Sequence, residues 1–240
     1  MKYIEYRKNI YSQNGEDGII QKLIEELELK IKDMWVVDVG AFDGISYSNV
    51  RALIEQHCNA VMVEPCTVGG EGEPKYKELK KLPILFPKVI TLNHFTKIKN
   101  KRLTEQSIEA CTNIHKKYNE EFAPDIKYLD ESLDCVKEFP FDYDILNIDI
   151  DSYDHAVWLE HTRTPKIVII EITSHIPPTT SSDQNNISFA DSIVFGTHKG
   201  YSCVCHTGNM IFVRNDLLHK LSIPKDFINS LGLFQTNWLS

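Results

Sequence analysis

The residues best able to do chemistry in this 240-residue chain lie at the ends of two predicted strands. The segment NIDIDSYDH places three acids, Asp149, Asp151 and Asp154, within six residues, and Glu171 ends the next apolar run, KIVIIEI. Alternation along a strand puts Asp149 and Asp151 on the same face. Carboxylates this close repel one another, so the group persists only if a cation, hydrogen bonds or a raised pKa relieves the repulsion.

Such an acidic group can prepare an alcohol for reaction in two ways, and the sequence leaves both open. In the first, Asp149 or His155 is a general base that takes the hydroxyl proton. In the second, Asp151 and Glu171 hold Mg²⁺ or Mn²⁺, because such hard cations prefer oxygen ligands. A third interpretation is a solvated strand end with surface acids, in which His155 is a packing or surface histidine.

A glycine-containing turn, VDVGAFDG, follows the first apolar run and predicts a second functional region. Its spacing, Gly40 to Gly44, is not that of a dinucleotide site, and no Gly-Lys-Ser/Thr follows, so a pyrophosphate ligand is not favoured. Asp38, Asp43 and Glu64 make the mouth acidic, which suits a cationic or hydroxyl-rich ligand. A carboxylate at the position of Glu64, at the end of the next strand, commonly binds ribose hydroxyls.

S-adenosylmethionine combines a ribose with a positive centre and carries no phosphate, so this region predicts it as the ligand. The alternative is that the glycines serve only tight packing between strand and helix, with Glu64 a solvated strand end.

Short apolar runs alternate with helical patterns along the chain, which predicts a parallel sheet covered on both faces. A terminal hairpin through Thr207-Gly208 adds one antiparallel strand. We predict one domain, 1–240, with an N-terminal helical cap at 1–33 and a loop over the site at 173–188. The predicted strands are 34–39, 60–65, 88–92, 143–150, 166–172, 201–206 and 210–215, and the predicted helices are 19–27, a short one from Pro74, 50–57, 101–118, 153–161 and 189–199.

The composition is that of an ordinary globular protein, with 42% hydrophobic and 25% charged residues. A net charge of −8 argues against a nucleic-acid partner, which needs a basic surface. The chain shows neither an apolar signal core nor a run of about 20 apolar residues. Six scattered cysteines without a C-x-x-C pair are typical of reduced thiols. These features predict a cytoplasmic protein without a membrane span.

Six blocks of the sequence, taken together and in order, resemble the FkbM-type methyltransferase family. The blocks are YSQNGED (11–17), VDVGAFDG (37–44), VMVEP (61–65), DYDILNIDIDSYD (142–154), PKIVIIEITSHIPP (165–178) and KGYSCVCHTGNMIFVRNDL (199–217). The resemblance implies a doubly wound, Rossmann-like class I methyltransferase fold, whose seven-stranded sheet has an antiparallel last strand. It also implies S-adenosylmethionine as methyl donor and a hydroxyl acceptor, often on a sugar or glycan.

The resemblance also implies roles for individual residues. It places near the donor Gln13, Gly40, Ala41 and Glu64, with Asn93 and His94 beside the adenine. Gln13, Glu16 and Asp17 would close the site around the methionine end, unless the two acids form a helix capping box instead.

Some sugar methyltransferases with a similar D-x-D strand end depend on a metal, which favours the cation over the general base. The chain departs from the family at one relevant point. Where relatives often have Glu-Tyr-Asn, it has Glu171-Ile172-Thr173, so a hydroxyl replaces the amide that could be a third ligand. His175 is a candidate substitute as ligand or base, and its alternative is an ordinary loop residue.

Overall fold

The computed structural model describes residues 2–64, 77–92, 94–95, 127–128, 133–135, 137–151, 154–180 and 187–235. For 94–95 and 127–128 the description covers the backbone only. Several predictions lie outside the described residues: the helix from Pro74, the helix over 101–118, Asn93, and the middle of the 173–188 loop.

The described strands and helices alternate along most of the chain, as predicted. The strands are β1 (Trp35–Val39), β2 (Asn59–Val63), β3 (Val89–Leu92), β4 (His94–Phe95), β5 (Lys127–Tyr128), β6 (Ile145–Ile148), β7 (Ile167–Glu171), β8 (Tyr201–His206) and β9 (Asn209–Arg214). The α-helices are α1 (Glu16–Glu26), α2 (Arg51–Ile54), α3 (Leu82–Leu85), α4 (Asp154–Glu160) and α5 (Phe189–His198). Short 3₁₀ helices cover Tyr3–Tyr6, Ile31–Asp33, Leu133–Cys135, Asn215–Lys220, Lys225–Phe227 and Leu231–Leu233.

Among the described residues, seven strands form one sheet in the order β3-β2-β1-β6-β7-β9-β8. The first five of these pair in parallel, whereas β9 runs antiparallel to both β7 and β8. The predicted doubly wound α/β sheet with an antiparallel last strand is therefore confirmed. Strand order reverses between β1 and β6, and in such sheets ligands bind beyond the carboxyl ends of the strands at this reversal.

The sheet carries the core because its strands are apolar along both faces. Every residue of β6 and β8 is buried, as expected for strands covered on both sides. On one face, Trp158 of α4 packs against Phe212 of β9. The Phe212 ring also lies close to Gly196 of α5. Helices α4 and α5 therefore share that face. No helix within the described residues is both long and apolar enough to cross a membrane.

Two elements end earlier than the apolar pattern predicts, and a left-handed residue follows in each case. The strand predicted over 143–150 stops at Ile148, because Asp151 has φ 63° and the chain turns into α4. The helix predicted over 50–57 ends at Ile54 and is followed by a turn in which His57 has φ 67°. Both turns are local backbone conformations that hydrophobic periodicity does not report.

Two left-handed glycines allow a matched test of the close contact behind β1. Gly40 has φ 88°, and a Cβ added there would lie 1.6 Å from the carbonyl oxygen of Asp149. Gly200 has φ 85°, and an added Cβ would meet nothing within 4 Å. We expect Gly40→Ala to lower the free energy of unfolding by about 3 kcal/mol or more, and Gly200→Ala by about 1 kcal/mol. Urea unfolding measures both, and equal losses would mean that the contact at Gly40 carries no cost.

Candidate functional site

The turn after β1 is held against the ends of β2 and β6. The backbone N–H groups of Gly40 and Ala41 both donate to the carbonyl oxygen of Val63, at 2.9 and 3.1 Å. On the other side, Gly40 lies so close to the Asp149 carbonyl that only glycine fits without a shift. The turn therefore joins the first two strand ends to the acidic segment, which brings two predicted regions into one place.

The second glycine of the turn serves packing. Gly44 has φ 71°, and a Cβ there would lie 2.5 and 2.8 Å from side-chain carbons of Leu82 and Leu79. Asp43 accepts hydrogen bonds from the N–H groups of Ile45 and Ser46, at 2.8 and 2.6 Å. We therefore assign Gly44 to packing rather than to ligand binding, and Asp43 to the shape of its own loop.

Glu64 and Asp38 face the interior of this strand-end region. The N–H of Phe42 donates to Glu64 Oε2 at 2.8 Å, and Asn147 Nδ2 donates to Asp38 Oδ1 at 2.7 Å. Burial raises the pKa of each carboxyl to about 7; the hydrogen bond opposes this rise, and neighbouring acids add to it. Glu64 is thus not a solvated strand end, as the alternative interpretation required.

Three carboxylates form the centre of the acidic group. Asp149, Asp151 and Glu171 each offer an oxygen within 4.8 Å of the other two, as the sequence predicted for this segment. Burial raises the pKa of Asp149 and of Glu171, and repulsion from neighbouring acids raises both further. The interaction between these two carboxyls adds to the rise in the pKa of Glu171 and opposes the rise in the pKa of Asp149.

The carboxylates of this acidic group are brought together for a different reason from the one predicted. Asp149 and Asp151 lie beyond the last residue of β6, so strand alternation does not place them; the left-handed turn at Asp151 does. The next acid, Asp154, is 6% exposed and accepts a hydrogen bond from the N–H of Ile150 at 2.8 Å. Burial raises the pKa of Asp154 to about 7.

His155 lies outside this group. It is 2% exposed, its Nε2 lies 2.5 Å from Ser192 Oγ, and its ring packs beside Trp158 and Phe195. Burial lowers the pKa of His155 to about 3, so the ring is neutral at physiological pH. These contacts lie between α4 and α5, and they favour the packing alternative for His155 over the role of general base.

The acids of the N-terminal segment bind their own backbone. Asp17 Oδ2 accepts hydrogen bonds from the N–H groups of residues 10–12, each at 2.8 Å. Glu16 is fully buried, where its carboxylate accepts from the Asn14 N–H and from the Thr207 hydroxyl. The helix N-cap, Gly15, receives no side-chain cap, so these acids do not form the capping box that was the alternative interpretation. Glu16 instead joins this segment to the turn between β8 and β9, and the side chain of Gln13 is exposed.

The loop after β7 does not supply a further ligand from its described part. The Ile187 N–H donates to Thr173 Oγ1 at 3.2 Å, and the Thr173 N–H donates back to the Ile187 carbonyl at 3.0 Å. His175 is exposed. Thr173 and Ile187 thus close the base of the predicted loop over the site, and the third oxygen of the cluster comes from Asp149.

Three carboxylate oxygens at this spacing fit Mg²⁺ or Mn²⁺. Both cations take oxygen ligands, and Mg²⁺ typically binds one or two carboxylates and completes its shell with water or substrate oxygens. Asp151 is exposed, which leaves that side of the cluster open. A cation there would also relieve the repulsion that raises the pKa of Glu171.

Two buried amides near Asp38 were not identified from the sequence. Asn147 sits inside the otherwise apolar strand β6 and is 4% exposed, and Asn49, just before α2, is 3% exposed. Asn49 Nδ2 donates to Asn147 Oδ1 at 3.0 Å. A lone amide within a continuous apolar run was the available signal, since a buried polar side chain needs a partner.

Solved structures align with most of this chain at low sequence identity. A SAM-dependent methyltransferase from Aquifex aeolicus aligns over 80% of this chain and 86% of its own, at 11% identity and a TM-score of 0.42. A proposed O-methyltransferase from Klebsiella pneumoniae aligns over 88% of this chain and 84% of its own, also at 11% identity and a TM-score of 0.42. No protein-family model and no curated protein sequence matches the chain. The functional assignment therefore rests on the residues of this chain.

Crowded acids make stability fall as pH rises. Asp38, Glu64 and Asp154 have folded pKa values of about 7, above the value of about 4 in an unfolded chain. Between these values the native state binds more protons than the unfolded state, so the free energy of unfolding decreases as pH increases from about 4 to about 7. We expect Glu171→Gln to flatten this decrease and, in chelator at pH 8, to raise the melting temperature by about 2–4 °C.

Thermal unfolding across this pH range measures the effect, with Asp226→Asn as a control at an exposed acid in the 3₁₀ helix Lys225–Phe227. Mn²⁺ should raise the melting temperature of the unaltered protein at pH 8, and it should not change the melting temperature of Glu171→Gln. If Glu171→Gln melts at a lower temperature than the unaltered protein in chelator, repulsion among these carboxylates does not destabilise the native state.

Proposed function

We propose that the chain is an S-adenosylmethionine-dependent O-methyltransferase that acts on a hydroxyl of a sugar or glycan. The observation that carries this proposal is the adjacency of two groups of acids at the reversal of strand order. Asp38 precedes the last residue of β1, and Glu64 follows the last residue of β2. Burial raises the pKa of Glu64 most, and the charges of Asp151 and Asp149 are close enough to raise it further. One region suits a cationic nucleoside, and the other suits activation of an alcohol.

Donor binding would use the first region. Glu64 Oε2 is held by the N–H of Phe42, which orients the carboxylate so that its other oxygen can accept from a ribose hydroxyl. Asp38 adds negative charge for the positive centre of the donor. Gln13, Ala41, Asn93 and His94 remain proposed donor-site residues on the sequence resemblance, and Asn93 lies outside the described residues.

Methyl transfer would use the second region. Asp149 would take the proton of the acceptor hydroxyl, whose oxygen would receive the methyl group while the donor leaves as a neutral thioether. The raised pKa of Asp149 brings it towards the working pH, which favours a general base. Asp151 and Glu171 would hold a divalent cation beside Asp149, and this cation would supply charge stabilisation for the oxygen that loses its proton.

The nature of the acceptor is argued from the resemblance to FkbM-type enzymes. A hydroxyl acceptor is the one that needs the base or cation, because the sulfonium already activates the methyl group. Trp158, an aromatic residue near the acidic segment, is fully buried against Tyr201 and Phe212 and so does not form a sugar-stacking surface.

Donor binding is tested by thermal unfolding. We expect millimolar S-adenosylmethionine or its demethylated product to stabilise the protein, by about 2.7 kcal/mol at 100-fold excess over the dissociation constant. ATP should give no shift, because the acidic mouth repels phosphates. Glu64→Gln should lose most of the stabilisation, while Glu78→Gln, at an exposed acid of a surface ion pair, should retain it. Absence of any shift with the unaltered protein would refute the proposed function.

Turnover is tested with a panel of sugar and glycan acceptors. We expect Asp149→Asn to lower kcat by about 10²- to 10⁴-fold while the donor dissociation constant changes little, with Asp226→Asn as control. Chelator should abolish turnover, and added Mg²⁺ or Mn²⁺ should restore it. Donor binding without transfer to any acceptor would indicate a non-catalytic donor-binding module, and transfer to RNA would indicate a nucleic-acid methyltransferase instead.

A further inference from the structure

A chain of two side-chain amides ends on Asp38. Asn147 lies beside Asp38 in the parallel register of β1 and β6, and its Nδ2 donates to Asp38 Oδ1 at 2.7 Å. Its Oδ1 accepts from Asn49 Nδ2 at 3.0 Å. All three residues are more than nine-tenths buried. Both hydrogen bonds therefore run from donor to acceptor in the direction of the carboxylate.

Asn49 and Asp38 match opposite ends of the Asn147 amide. An amide has a donor and an acceptor end, and a rotation of 180° exchanges them. Asn147 Oδ1 accepts from Asn49, and its NH₂ group donates to Asp38. With Asn49 in its observed orientation, a rotated Asn147 would set its oxygen against the carboxylate and its NH₂ against that of Asn49, which leaves two buried pairs mismatched.

The surroundings of Asp38 make this donor important. The nearby titratable groups are acids: Asp149 beyond the end of β6, and Glu64 beyond the end of β2. Their charges and the burial of Asp38 both favour its neutral form. The hydrogen bond from Asn147 is a charge-assisted interaction that favours the carboxylate.

We propose that Asn49 and Asn147 are positioning residues that direct a hydrogen-bond donor at Asp38 and so hold it as an anion for the cationic methyl donor. This inference rests on the proposed function for its ligand. It extends that function by assigning the affinity for a positive centre to an amide pair that does not itself contact the donor.

A double-mutant cycle separates this role from a purely structural one. We expect Asn147→Leu to raise the dissociation constant of S-adenosylmethionine about tenfold and Asn49→Ala about threefold, as measured by calorimetry. In an Asp38→Asn background, where no anion remains to be held, both substitutions should change it less than about twofold. Asn59→Ala serves as control, because this amide binds the Met34 carbonyl at the opposite end of β2.

If each substitution raises the dissociation constant by the same factor in both backgrounds, the proposal is overturned, since the amides would then act independently of Asp38. If Asn147→Leu does not fold, the Asn49→Ala cycle alone decides in the same way.

A second readout uses the free protein and does not depend on donor binding. In the ¹H–¹⁵N spectrum, the side-chain NH₂ signal of Asn147 should shift in Asp38→Asn and also in Asn49→Ala, while Asn59→Ala leaves it unchanged. If the Asn147 signal does not shift in Asn49→Ala, the amide relay, meaning the two hydrogen bonds from Asn49 through Asn147 to Asp38, is refuted. If the unaltered protein binds no donor, the proposed function fails, and this spectrum still tests the amide relay.

Discussion

Negative charge packed at the carboxyl edge of the sheet is the constraint on which the site depends. Asp38, Glu64 and Asp154 are each removed from water to a large degree, and each receives a hydrogen bond from a fixed donor. For Asp38 the donor is the Asn147 amide, whereas for Glu64 and Asp154 it is a backbone N–H of an adjoining turn. The turns after β1 and β6 therefore take shapes that deliver N–H groups to carboxylates.

The repulsion that these hydrogen bonds do not relieve is concentrated on one cluster. Burial and repulsion from neighbouring acids raise the pKa of both Asp149 and Glu171, and Asp151 remains exposed beside them. A cluster in this condition gains most from a cation or from a proton, and these are the two things that activation of an alcohol requires. The same repulsion between carboxylates thus accounts for the expected pH dependence of stability and for the proposed chemistry.

The N-terminal segment shows that not every buried acid belongs to that chemistry. Asp17 accepts hydrogen bonds from the loop before α1, and Glu16 accepts from that loop and from Thr207, so Glu16 fastens the segment to the β8–β9 turn. His155 is similarly committed to Ser192. Sequence proximity to Asp154 suggested a catalytic histidine, but successive helical residues point about 100° apart, so one faces the cluster's turn and the next faces α5.

The sequence by itself determined the α/β alternation, the terminal hairpin and the strand ends at which acids collect, because burial on both faces requires continuous apolar runs and strand ends follow from where those runs stop. Only the tertiary structure decided which acids lie close together and why Gly40 and Gly44 are glycines. It alone also decided that hydrogen bonds link Asn49 to Asn147 and Asn147 to Asp38. Those outcomes depend on left-handed turns and on contacts between residues as far apart as Asn49 and Asn147, and no local pattern encodes the distance between two side chains brought together by the sheet.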